Sequence, residues 1–232
     1  MFSSAQCTRL EYLKVSLRES SLLVIEECPM PFLRHLDLEF EWESSPEPVV
    51  FLDVPLLRSA VLNENALYAV VLPWAQLTEL TLHNVFPEET PAVLQLTSNL
   101  VYFKSALINN GFPDCPDVTL LCLESLALTL RRTIDYHPSE ISGYLETFVV
   151  PTLRHLQVDE HFLGREPIHS LMMFVSKSGC TLERIYVSGK RRRLSHDVYR
   201  RAFPSVELSF DEFYVGEGLQ NDSDAEYDSD SE

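Results

Sequence analysis

A short phrase, leucine-x-x-apolar-x-apolar, recurs about nine times along the chain. Consecutive copies start 20 to 30 residues apart. Apolar and polar residues alternate within each copy, which is the pattern of a strand with one buried face. The copies start at Leu10, Leu33, Leu57, Leu77, Leu100, Leu123, Leu153, Leu182 and Phe203. The pattern therefore predicts nine short strands that stack in chain order into one parallel sheet.

A repeat period in the twenties is typical of leucine-rich repeats, in which each repeat supplies one strand and one return segment. The sequence predicts an α/β fold, an irregular leucine-rich-repeat solenoid of about nine coils over residues 1–214. Its parallel sheet would be concave, with helices and loops on the convex side. Helical signals occur in Thr90–Ser98, Pro167–Ser178 and Ser195–Ala202. Thr90 and Ser195 are the expected N-caps, and Gly179 is the expected stop of the second helix.

The end of the chain, residues 215–232, is too poor in apolar side chains to fold, so we expect a disordered acidic tail. The whole chain has a formal net charge of -17 at pH 7. This charge argues against nucleic-acid binding, because phosphate affinity requires clustered basic residues. One basic run is nevertheless a candidate nuclear-import signal, or a contact for the acidic tail. It consists of Lys190, Arg191, Arg192 and Arg193.

In the predicted register, a set of mostly polar and aromatic side chains alternates with the buried ones and lines the concave side. Such a mixture suits the recognition of a protein or peptide, although any solvated sheet face is polar. The predicted partner-binding surface consists of Tyr12, Lys14, His35, Asp37, Glu39, Ser59, Asn63, Glu79, Thr81, His83, Tyr102, Lys104, Ser125, Thr129, His155, Gln157, Asp159, Arg184 and Tyr186.

The sequence contains no motif for catalysis. It has no Gly-x-Ser-x-Gly, no phosphate-binding glycine loop and no His-Glu-x-x-His. We therefore expect neither an enzyme nor a cofactor or metal site. The five cysteines show no metal-ligand spacing, and their odd number fits free thiols in a reducing compartment. No secretion signal or membrane-spanning run is present, so we expect a monomer in the cytoplasm or nucleus, without membrane contact.

The amino-acid sequence of the repeats is informative in addition to their spacing. Six phrases stand out between Leu10 and Phe210: FLDVPLLRSAVLN, VLPWAQLTELTLHNV, TSNLVYFKSAL, VTLLCLESLALTL, VVPTLRHLQV and FVSKSGCTLERIYVSG. Together they resemble the leucine-rich part of fungal F-box proteins. The resemblance implies the substrate receptor of a Skp–cullin–F-box ubiquitin ligase, whose repeats bind a protein substrate or peptide.

The F-box, which holds the linker subunit of such a ligase, has no counterpart in the sequence, and the first repeat already starts at Leu10. We therefore expect a protein-binding module without ligase docking, either a fragment or a truncated paralogue. The linker subunit would be a partner only if an F-box lies upstream. The alternative is a nuclear, acidic-tailed leucine-rich protein that binds basic partners such as histones. A decaying gene copy without a selected function is a third alternative.

Overall fold

The protein is described by a computed structural model, which covers residues 9–18, 29–41, 49–51, 53–108, 115–131, 143–189 and 194–211. Within these ranges, nine strands form one parallel sheet, and each strand pairs with the next one along the chain. The strands are β1 Tyr12–Arg18, β2 His35–Glu41, β3 Ser59–Asn63, β4 Glu79–Val85, β5 Tyr102–Ile108, β6 Ser125–Arg131, β7 His155–Asp159, β8 Arg184–Ser188 and β9 Glu207–Phe210. The predicted mixed α/β class with a nine-stranded parallel sheet is confirmed.

A leucine turn leads into most of the strands, and Leu153 illustrates it. The amide of Leu153 donates to the carbonyl of Val150 at 3.1 Å, which closes a turn two residues before β7 begins. The amides of Arg154 and His155 then both donate, at 3.0 Å, to the carbonyl of Glu124, the residue that precedes the neighbouring strand. The same arrangement recurs at Leu33, Leu57, Leu77, Leu100 and Leu123. Each of these strands therefore starts two residues after its leucine.

Alternation along the strands buries one face of the sheet. Leu36, Leu80 and Phe103 occupy equivalent inward positions, and at most 1% of each is exposed. They belong to the same hydrophobic cluster as the leucines of the turns and as Leu171 and Phe174 of a helix. The helices therefore cover the buried face, and the opposite face of the sheet is left to solvent.

Four α-helices occur in the described residues: α1 Glu64–Ala69, α2 Thr90–Leu94, α3 Pro167–Ser178 and α4 His196–Ala202. Helix α3 has the predicted bounds and ends at Gly179, whose φ is 66°. Helix α2 is shorter than predicted, and Thr90 is its first residue rather than its N-cap. The Thr90 hydroxyl instead donates to the carbonyl of Pro87 at 2.9 Å, because a 3-10 turn directly precedes the helix.

Ser195 occupies the N-cap position of α4 as predicted, but its side chain makes no capping hydrogen bond. The ninth copy of the leucine phrase is misplaced in the sequence analysis. It was expected to open with Phe203, yet β9 begins four residues later, at Glu207. The reason is that α4 extends to Ala202, so the chain must turn before the strand. The Val206 amide closes that turn on the Phe203 carbonyl at 3.3 Å.

The described residues also contain a helix and short strands that were not predicted. Helix α1 follows β3 directly, and two pairs of two-residue parallel strands lie outside the main sheet. The pairs are Val49–Val50 with Val70–Val71 and Val118–Thr119 with Phe148–Val149. The predicted tail, residues 215–232, and the basic run Lys190–Arg193 lie outside the described residues. No helix in the described ranges has the length and apolarity needed to cross a membrane.

Candidate binding surface

Two rows of side chains run across the solvent-facing side of the sheet, and we call them together the open face. Neighbours within a row lie on adjacent strands, about 4.8 Å apart. The first row contains Tyr12, His35, Ser59, Glu79, Tyr102, Ser125, His155, Arg184 and Glu207. The second row contains Lys14, Asp37, Val61, Thr81, Lys104, Ala127, Gln157, Tyr186 and Ser209.

The strand register brings most of the predicted surface residues together. The two rows contain the following predicted residues: Tyr12, Lys14, His35, Asp37, Ser59, Glu79, Thr81, Tyr102, Lys104, Ser125, His155, Gln157, Arg184 and Tyr186. The remaining ones, Glu39, Asn63, His83, Thr129 and Asp159, lie one row closer to the carboxyl ends of the strands. That these residues share one surface is a property of the structure, whereas their contact with a partner stays a prediction.

The end of the open face at β1 and β2 holds an ion pair and an aromatic contact. Lys14 Nζ lies 2.7 Å from Asp37 Oδ2. The hydrogen bond to Asp37 and its charge raise the pKa of the Lys14 ammonium. The rings of Tyr12 and His35 are tilted, with centroids 6.3 Å apart. Tyr12 is 56% exposed, so this end offers an aromatic surface beside a neutralised charge pair.

The opposite end, at β8 and β9, is also internally paired. Arg184 Nε lies 3.0 Å from Glu207 Oε2. The Tyr186 hydroxyl donates to Asp211 Oδ1, and this hydrogen bond raises the pKa of the Tyr186 hydroxyl. The Gly189 amide donates to the other oxygen of the same carboxylate at 3.3 Å. Both predicted contact residues of this end are therefore already engaged within the chain.

The centre of the open face, at β4 and β5, differs from its ends. Glu79, Tyr102 and Lys104 lie there, and next to them is His83 in the third row. Partial removal from water lowers the pKa of the His83 imidazole, and the positive charge of Lys104 lowers it further. These two effects favour the neutral form of His83.

Asp159 was predicted as a contact residue, but the structure gives it another role. Only 7% of Asp159 is exposed. Its Oδ1 accepts the backbone amide of His161 at 3.0 Å and faces the His161 Nδ1 at 2.5 Å. The carboxylate thereby caps the 3-10 helix Glu160–Leu163. Asp159 is part of the scaffold at the end of β7 and is not available to a partner.

Asn63 continues the outward pattern of β3 and is half-buried, but its side chain is engaged within the chain. Its Oδ1 accepts the amide of Ala66 at 3.0 Å and caps α1. The same side chain binds the backbone of Phe40 on β2. Strand-end polar residues followed by a helix start are therefore caps in this protein, and this signal was readable in the sequence before Glu64 and Glu160.

Four residues of the open face were missed by the sequence analysis. Val61 and Ala127 are apolar, and a search for polar positions skipped them although the alternation includes them. Glu207 and Ser209 were missed because the ninth strand was placed too early. All four follow from the register of β3, β6 and β9.

A groove of about 490 Å³ lies at the amino ends of β6, β7 and β8. Its arginine, Arg154, is paired with Glu183 at 2.7 Å. Because this pair cancels, the groove offers no excess positive charge to an anionic ligand. It is lined by Glu124, Pro151, Thr152, Leu153, Arg154, Thr181 and Glu183.

Other chemistry is sparse in the described part of the chain. It contains no group of three or more His, Cys, Asp or Glu side chains arranged to hold a metal ion. Cys122 and Cys180 are free thiols, and burial raises the pKa of the Cys180 thiol. Comparison of the chain with protein-family models, with curated proteins and with solved structures gives no match. Within the described residues, the open face is therefore the candidate functional surface.

Proposed function

We propose that this chain is a leucine-rich-repeat solenoid that serves as a non-catalytic protein-binding module. The observation that carries the proposal is the regular coupling of a leucine turn to an outward-facing strand. Six of these turns share the same hydrogen-bond pattern, and their strands follow one another in chain order. A stack of such units presents a long continuous face of side chains, which repeat proteins use for binding.

The composition of the open face favours a protein or peptide as the ligand. It combines aromatic rings, both signs of charge and short polar side chains, as protein interfaces do. Tyr102 lies at its centre, where binding energy tends to concentrate on tyrosine, tryptophan and arginine side chains.

We propose the class of protein from the amino-acid sequence of the repeats. The phrases around VPLLRS at 54–59 and VPTLRHL at 150–156 resemble those of F-box substrate receptors. We infer that the module recognises a protein substrate in the manner of such receptors. Transfer of ubiquitin would additionally require an F-box.

Site-specific photocrosslinking tests the binding surface. The photoreactive residue p-benzoylphenylalanine replaces Tyr102 at the centre of the open face in one variant. In the matched control it replaces Met172, which is 55% exposed on α3 at the other side of the sheet. Both variants are expressed in cells and irradiated. We expect a crosslinked polypeptide at Tyr102 and none at Met172.

The outcomes separate the parts of the proposal. Crosslinks at Met172 alone would place the partner on the wrong side of the sheet. Failure of both positions to crosslink any polypeptide would reject a protein-binding function of the sheet. The ligase link has its own test, in which an F-box is fused to the amino terminus of the chain. We expect the polypeptide that crosslinks at Tyr102 to be ubiquitylated in the presence of the fused chain and not in the presence of the unfused chain.

A further inference from the structure

The charges of the open face are satisfied at its two ends. At β1 and β2, Lys14 and Asp37 form an ion pair of 2.7 Å. At β8 and β9, Arg184 and Glu207 form one of 3.0 Å. A partner that approached either end would have to compete with an existing pair. These ends therefore contribute little net charge to recognition.

The central strands carry charges that remain open. Within the described residues, the carboxylate of Glu79 on β4 and the ammonium of Lys104 on β5 make no hydrogen bond or ion pair. Glu79 pairs in register with Tyr102, and Lys104 pairs with Thr81. The two charges are thus diagonal neighbours, with Cβ atoms about 7–8 Å apart. Each can accept a separate opposite charge from a ligand.

The neighbours of this charged pair in the two rows have short side chains. On one side, β3 contributes only Ser59 and Val61 to the rows, and on the other side β6 contributes only Ser125 and Ala127. These short side chains flank Glu79, which is exposed, and Lys104, which is half-buried. Tyr102 adds an aromatic ring in the first row between Glu79 and Ser125.

We propose that the centre of the open face binds an extended segment of a partner protein that carries a basic and an acidic residue two positions apart, in either order. The basic side chain would pair with Glu79 and the acidic one with Lys104. This inference rests on the proposed protein-binding function and names the chemistry of the segment. The spacing follows because residues i and i+2 of an extended chain lie on one side, about 6.6 Å apart. Residues at that spacing do not share one face of a helix.

A peptide selection tests the inference without a known partner. Random twelve-residue peptides displayed on phage are selected against the full chain. We expect the enriched peptides to contain Lys or Arg two positions from Asp or Glu more often than the unselected library does. The affinity of a synthetic peptide from this set is then measured by fluorescence anisotropy at low and high salt. It should weaken at high salt, because exposed charge pairs are screened.

Charge reversal identifies the two contacts. Glu79→Lys should weaken the peptide about tenfold, because attraction is replaced by repulsion, and Lys104→Glu should act similarly. Exchanging the basic residue of the peptide for Glu should restore binding to the Glu79→Lys variant. Glu146→Lys is the matched control, since Glu146 is exposed in the 3-10 helix Leu145–Thr147 outside the open face, and it should change the affinity less than twofold. Unchanged thermal unfolding of each variant verifies that it is folded.

Three results would overturn the inference. They are enriched peptides without the charge pattern, equal binding by the Glu79→Lys variant, and no enriched peptide at all. None of these decides the wider function, because crosslinking from Tyr102 reports on protein binding independently. If Tyr102 crosslinks a polypeptide but the selected peptides lack the charge pattern, the chain is a binding module that recognises its partner by other chemistry.

Discussion

The side chain of Asn63, at the end of β3, binds both backbone groups of Phe40 on the neighbouring strand β2. Its Oδ1 accepts the Phe40 amide at 3.1 Å, and its Nδ2 donates to the Phe40 carbonyl at 2.9 Å. The same Oδ1 also accepts the amide of Ala66 and starts α1. One side chain therefore joins two strands and a helix at the point where regular pairing ends.

Replacing Asn63 should destabilise the fold. We expect Asn63→Ala to lower the free energy of unfolding by about 2–3 kcal/mol, because it removes a helix cap and two further hydrogen bonds. Urea denaturation followed by circular dichroism measures this change. The matched control is Asn65→Ala, which removes a single hydrogen bond to the Phe40 carbonyl and should cost about 1 kcal/mol. Equal losses in the two variants would contradict the bridging role of Asn63.

Two buried serines should respond to alanine in opposite directions. Ser105 lies in an inward row between Leu82 and Leu128, and its Oγ finds no hydrogen-bond partner among the described residues. Ser178 Oγ accepts the Val150 amide at 3.3 Å and donates to the Phe148 carbonyl at 3.2 Å. A buried hydroxyl without a partner is destabilising, whereas one with partners stabilises.

We expect Ser105→Ala to raise the free energy of unfolding by about 1 kcal/mol and Ser178→Ala to lower it by about 1–2 kcal/mol. Both variants delete one oxygen from a fully enclosed site, so each serves as the control for the other. Chemical denaturation of the two proteins under identical conditions gives the comparison. A loss of stability in Ser105→Ala would show that its hydroxyl has a partner in solution.

The sheet could be predicted from the sequence because its leucines have two functions at once. Leu33 and Leu153, for example, fill the core and close the turn that starts the next strand. Their spacing therefore reports both the number and the order of the strands. The start of the ninth strand could not be predicted in this way, because Phe203 follows α4 directly and a turn lies between it and Glu207.

The candidate surface was harder to predict than the sheet. Alternation determines which residues face outward along a strand, and it placed Glu79 and Lys104 correctly on one face. It does not reveal that, at strand ends, the side chains of Asn63 and Asp159 accept backbone amides and cap the next helix. The alternation of polar and apolar residues also does not reveal which charged side chains form ion pairs. The engagement of Arg184 with Glu207 depends on a strand whose register the sequence did not reveal.

The stop of α3 makes a further prediction. Gly179 has φ 66° and ψ 20°, in the left-handed region, and a Cβ at this position would meet nothing within 4 Å. Gly179→Ala should therefore cost about 1–2 kcal/mol from backbone strain alone. Gly179→Asn should cost less, since Asn tolerates this conformation. Thermal unfolding checks both, and an equal effect of the two substitutions would argue against strain as the cause.

The titration of His83 reports the charges at the centre of the open face. Partial burial and the charge of Lys104 lower the pKa of the imidazole from its usual 6.5, while the charges of Asp37 and Glu39 oppose this shift. Because the folded pKa lies below the unfolded one, the contribution of His83 to stability is present above pH 6.5. It is lost as the pH falls through the folded pKa.

Two substitutions should therefore move the pKa of His83 in opposite directions. Lys104→Gln should raise it towards 6.5, because a neighbouring positive charge is removed, and Asp37→Asn should lower it further. The chemical shift of the His83 ring protons, followed by NMR from pH 8 to pH 5, measures both effects. Movement of His83 in the same direction in both proteins would mean that the two charges do not flank its ring.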